Sequence, residues 1–125
     1  MTTAILANIV LQMLAAGLGG YCLLLWFKKA RKPVFIGYHL LAGLGATETL
    51  FVIIHISGFP AESFPRTIGL AAGMCFGAAI LSGFISALIG KHSPPLANTL
   101  LAVHVTSAVA GLIMALVFAH AAWTA

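Results

Sequence analysis

Five histidines stand in a chain that is otherwise almost free of polar chemistry, and four of them form two pairs of equal spacing. Sixteen residues separate His39 from His55, and sixteen separate His104 from His120. Imidazole is the commonest metal ligand and a normal axial partner for haem iron. On a helix, sixteen residues at about 1.5 Å each span roughly 24 Å, which sets one histidine of each pair toward each end of the element that carries it. The other chemically notable group is Glu48, flanked by Thr47 and Thr49 in the middle of an apolar run. A lone carboxylate there must be protonated, paired or beside water.

The elements that position these residues follow from composition. Of 125 residues, 62% are hydrophobic and 6% charged, whereas a water-soluble surface normally needs about 25% charged residues. A bilayer supplies the missing solvent, and about 20 apolar residues cross its core of about 30 Å. Four apolar runs meet that requirement, at 4–27, 34–57, 67–90 and 96–123. Between them stand the basic cluster Lys28, Lys29, Arg31, Lys32 before Pro33, a turn-rich connector from Gly58 to Arg66, and the turn Lys91, His92, Ser93, Pro94, Pro95. Short connectors make sequential helices antiparallel neighbours. The expected fold is all-α, an integral membrane four-helix up-down-up-down bundle, with residues 1–125 as a single transmembrane domain. The first run lacks a basic leader and reads as a retained helix.

Four of the six basic side chains lie in the first connector and a fifth, Lys91, in the third. The excess of Lys and Arg on cytoplasmic loops then puts both connectors inside and both termini on the non-cytoplasmic face of a cell (inner) membrane, as a multi-pass protein. Helices two and four run in the same direction, so His39 shares a depth with His104, and His55 with His120. This is the arrangement for two bis-histidine sites, one per leaflet. Sixteen residues at about 100° each leave a net rotation of about 160°, however, so straight helices aim the two members of each pair to nearly opposite sides. Three outcomes stay open: a π-bulge or kink re-aims one histidine, one haem sits inside and another at an interface with another subunit, or a single haem binds.

A porphyrin between helices needs thin walls, and the histidine-free helices carry glycine clusters: Gly17, Gly19 and Gly20 on the first, and Gly69, Gly73, Gly77 and Gly83 on the third. Glycines at spacing four also form a helix-packing ridge. With His39 opposite His104, His55 opposite His120 and these glycines, the chain resembles the four-helix, two-haem core of the cytochrome b family of respiratory complexes. There the second and fourth helices each carry two histidines. The resemblance covers most of the chain as architecture, and departs from it in the histidine spacing, which is about fourteen in that family. It implies haem b, two per chain or one, ligated by His39, His104, His55 and His120, with Gly17, Gly20, Gly73 and Gly77 on the cofactor walls.

Other groups have secondary roles in this reading. Glu48 shares a helix face with His55 and is a proton or quinone candidate. Arg66, with Asn8 and Gln12, is placed to bond propionates or a quinol. Lys28, Lys29, Arg31, Lys32, Lys91 and His92 suit propionates or anionic lipid. Cys22 and Cys75 read as buried free thiols, and Met13, Met74 and Met114 as packing residues with a reserve role as iron ligands. Trp26, Tyr38 and Trp123 fit an aromatic belt at the span ends. Nucleic-acid binding finds no support, since the net charge of +4 is concentrated in one loop. No nucleotide motif, nucleophile constellation or iron-sulfur cysteine set is evident, so the expected role is an electron-transfer subunit and not an enzyme alone. Its partners would be the lipid bilayer, other redox subunits or a homo-oligomer, and quinone. The competing classes are a non-redox or pigment-binding accessory subunit and a small proton-coupled transporter.

Overall fold

The structure is a computed structural model and describes residues 2–124. It is built of four helices: α1 (Thr2–Phe27), α2 (Pro33–Ile56), α3 (Phe64–Ile89) and α4 (Pro94–Thr124). Each is long and apolar enough to cross a membrane. Helices α3 and α4 begin earlier than the apolar runs suggest, because each opens on a proline: Pro65 in α3, and Pro94 and Pro95 in α4. A proline in the first helical turn forfeits only an amide hydrogen that has no intrahelical acceptor, so it starts a helix as readily as it ends one.

The breaks between helices have local causes. Helix α1 closes with the amide of Ala30 donating to Leu25 O (2.9 Å) and that of Lys29 to Trp26 O (3.0 Å). This is a Schellman turn, and it places Lys29 in the left-handed region at φ 54°, a position usually given to glycine. After α2 the corresponding residue is a glycine, Gly58, at φ 64°.

α1 packs along α2 and α3 along α4, while the α2–α3 and α1–α4 seams close the ring. The helices that carry the histidine pairs, α2 and α4, therefore sit diagonally across the bundle. One end, the basic end, carries the 28–32 and 91–93 connectors; both chain termini and the 57–63 connector lie at the other. Many large apolar side chains on the outer surface are exposed, Met74, Val10 and Leu81 among the most so. The packed interior lies toward the far end. There Ile5, Leu50, Ile53, Ile54, Phe76, Phe118 and Ala119 form one core cluster. Glycines let side chains from neighbouring helices reach its axis: a Cβ at Gly69 would lie 2.9 Å from Ile54 and 3.0 Å from Phe118.

Candidate functional site

In the half of the bundle nearer the basic end the axis is open. A cavity of about 400 Å³ is walled by all four helices and includes both His39 and His104. The two rings lie with centroids 5.7 Å apart and planes nearly perpendicular, at 85°. Both are fixed in the same way. His39 Nδ1 lies 2.9 Å from the carbonyl oxygen of Ala15 on α1, and His104 Nδ1 lies 2.7 Å from that of Ala79 on α3. A carbonyl only accepts, so each Nδ1 must carry the proton, and Nε2 is left with its lone pair.

Each anchoring carbonyl is reachable because of the residue four places on. In a helix, carbonyl i is bonded to amide i+4, and the side chain at i+4 shields that oxygen. Here the i+4 residues are Gly19 and Gly83. A Cβ at Gly19 would stand 2.8 Å from His39 Cε1, and one at Gly83 would stand 2.5 Å from His104 Nδ1. An alanine followed four residues later by glycine on one helix thus seats the histidine of the next.

This motif occurs twice because the cavity is built twice. Adding 64 to seven of the nine α1 positions that line it gives the seven of α3, Leu25 and Trp26 having no lining equivalent, and adding 65 to the five of α2 gives five of the six of α4. Ala15, Gly19 and His39 have Ala79, Gly83 and His104 as equivalents. Around the cavity the α1–α2 and α3–α4 hairpins therefore present equivalent positions, as an approximate half-turn about the bundle axis would place them.

The cavity's mouth is positive and its floor is polar on one side. Arg31 and Lys32 line the basic end, and the Arg31 guanidinium is held 4.3 Å above the Trp26 ring and against Gly90. At the floor, Gln12 is 5% exposed and its Nε2 has no hydrogen-bond partner. Asn8, one turn away, uses both amide hydrogens: its Nδ2 donates to Ala46 O and to Thr49 Oγ1, each at 2.7 Å.

The other sequence candidates are placed differently. His55 and His120 are both exposed on the outer surface. Helices α2 and α4 are continuous α-helix through both histidines, without a π turn, so the rotation of about 160° between them is not undone. Gly20 lines the cavity, whereas Gly17 and Gly77 do not, and a Cβ at either would meet open space. Gly73 is covered by the ring of Phe51 and so is a packing glycine. Arg66, in the first turn of α3, donates from Nη1 to Phe59 O of the preceding connector at 3.4 Å. Glu48 is exposed and has no polar partner among the described residues. Cys22 lines the cavity, and both cysteines are free. The alanine anchors were legible only as the start of an Ala-x-x-x-Gly pattern recurring at a spacing of 64.

Two imidazoles are too few for a cage of protein ligands, and among the described residues no group of three or more His, Cys, Asp or Glu could hold a metal ion. Two are enough for a metal whose remaining ligands come from a macrocycle. No protein-family model, curated protein or solved structure matches the chain.

Proposed function

We propose that the chain is a membrane-embedded b-type cytochrome, an electron-carrying subunit in which His39 and His104 are the axial ligands of a haem held between the two hairpins. The observation that carries this reading is the paired anchoring of the two rings. Each Nδ1–H is committed to a backbone carbonyl, which fixes the tautomer, orients the ring and leaves Nε2 as the ligand atom; such outer partners are how proteins tune metal-ligating histidines.

The rest of the cavity fits the same occupant. Its walls are apolar, glycine and alanine keep them thin, and the cations Arg31 and Lys32 stand where propionates would emerge. The haem, when bound, supplies one-electron chemistry. His39 and His104 would hold it, the apolar walls would exclude water, and Arg31 and Lys32 would bind its carboxylates. The basic connectors orient the bundle with that end toward the cytoplasm and both termini on the other side of the membrane.

On this reading His55 and His120, both exposed, hold no haem within the chain, and Leu50, Ile54 and Phe118 belong to the packed core at their end of the bundle. A second haem would need another subunit, either a second copy or a redox partner. Glu48, exposed on the same side of α2 as His55, belongs with that outer surface, and any quinone exchange would run there.

The test is an optical spectrum of the purified protein, oxidised and dithionite-reduced, with iron counted per chain. Reduced b-type bands at one iron per chain are expected. A pigment spectrum would assign the chain to an accessory light-harvesting role, and a colourless protein with no haem affinity would end the haem reading.

A further inference from the structure

We infer that the cavity selects one of the two ways in which protohaem can be inserted, and that the difference between the α1 wall and the α3 wall makes the selection. This rests on the haem reading above and adds a positioning role for Gln12, Gly20 and Phe84.

A macrocycle clamped between His39 and His104 lies across the line joining them, so its faces meet α2 and α4 and its side edges meet α1 and α3. With its carboxylates at Arg31 and Lys32, the half-turn that relates the two hairpins is also the half-turn that exchanges the side edges. A protein with true two-fold symmetry could not tell the two insertions apart. Here the equivalence is broken at the walls. Ala16 and Gly20 on α1 correspond to Ile80 and Phe84 on α3, and Gln12 corresponds to Phe76.

At these levels the α1 side is thus thin and the α3 side bulky, while nearer the mouth the order reverses, Cys22 and Leu23 having Ser86 and Ala87 as equivalents. A Cβ at Gly20 would still meet nothing within 4 Å. The α1 side also holds the one unpartnered buried amide in the cavity, Gln12 Nε2. The side edges of protohaem differ in the matching sense: one carries a vinyl and a methyl group, the other two methyls. The larger, conjugated vinyl edge belongs against α1. There it has space, and the Gln12 amide can donate to its π system, a weak contact but one absent from the α3 side. The methyl edge then packs on Phe84 and Ile80.

The experiment is proton NMR of the oxidised holoprotein in detergent micelles, where each insertion gives its own set of shifted haem methyl signals. One dominant set is expected, at a ratio of roughly ten to one, which corresponds to about 1.4 kcal/mol. Phe84→Ala, which thins the α3 wall, should bring the ratio toward unity, and Gln12→Leu should lower it by a smaller factor. Gly20→Phe combined with Phe84→Gly should invert it; because that pair burdens the fold most, the two single substitutions carry the test. Equal sets in the unaltered protein, or a ratio that neither Phe84→Ala nor Gln12→Leu moves, would overturn the inference while leaving the histidine clamp intact. Absence of any haem signal would remove the haem reading itself, and this inference with it.

Discussion

The two halves of the bundle use the same helices to opposite ends. Near the basic end, α2 and α4 turn His39 and His104 inward and leave a cavity between them. Toward the termini the same two helices turn Leu50, Ile54 and Phe118 inward, close the axis, and carry His55 and His120 outside. Nothing in the residue types separates the two histidine pairs. What separates them is helix phase, because sixteen residues at about 100° each make half a turn more than a whole number of turns, less about 20°. Equal spacing along the chain therefore yields one inward pair and one splayed pair.

The most severe way to break this contrast is to remove the imidazoles. His39→Ala or His104→Ala should abolish most haem binding, whereas His55→Ala and His120→Ala should leave intrachain haem content unchanged, measured as haem per chain after purification in detergent. Loss of haem in all four variants would restore a two-site chain and refute the division into an open half and a closed one.

Filling the outer core in reverse sharpens the same point. Phe118 is 2% exposed and packs over Gly69, so Phe118→Ala should lower stability by about 3 kcal/mol, at the low end for a large-to-small core change. Unfolding in mixed micelles would register the loss, while the spectrum of the remaining folded protein stays the same. Glycines divide likewise. Gly83→Leu should cost about 1–3 kcal/mol by overpacking and also displace the His104 ring, reducing haem content. Gly73→Leu, beneath Phe51, should carry a similar stability cost and no spectral change. The smallest effect is expected at Asn8→Ala, about 1 kcal/mol for the lost bonds between α1 and α2, readable in the same unfolding experiment without change in haem content.

Much of this was legible in the letters. Four helices follow from runs of apolar residues broken by Lys28–Lys32, Gly58 and Pro94–Pro95, and co-directional α2 and α4 follow from their short connectors. The shared level of His39 and His104 follows as well, as does the half-turn that separates each from its partner sixteen residues on. Which pair faces inward was not legible, because phase along an isolated helix has no origin until the packing partner is known. The apolar residues of α2 surround the helix nearly evenly and mark no buried stripe, as expected when lipid replaces water outside. The glycines divide for a related reason. Gly73 and Gly77 belong to the most regular run, yet regular spacing marks a packing ridge, and the two that seat the imidazoles, Gly19 and Gly83, are distinguished only by lying four residues after Ala15 and Ala79.

The account stands or falls on whether the two anchored rings bind one iron from opposite sides. Electron paramagnetic resonance of the oxidised protein asks this directly. The prediction is a low-spin ferric signal of two axial imidazoles that vanishes in both His39→Ala and His104→Ala and persists in His55→Ala and His120→Ala. A signal that survives both inner substitutions, or a haem-loaded protein that is high-spin throughout, would contradict it.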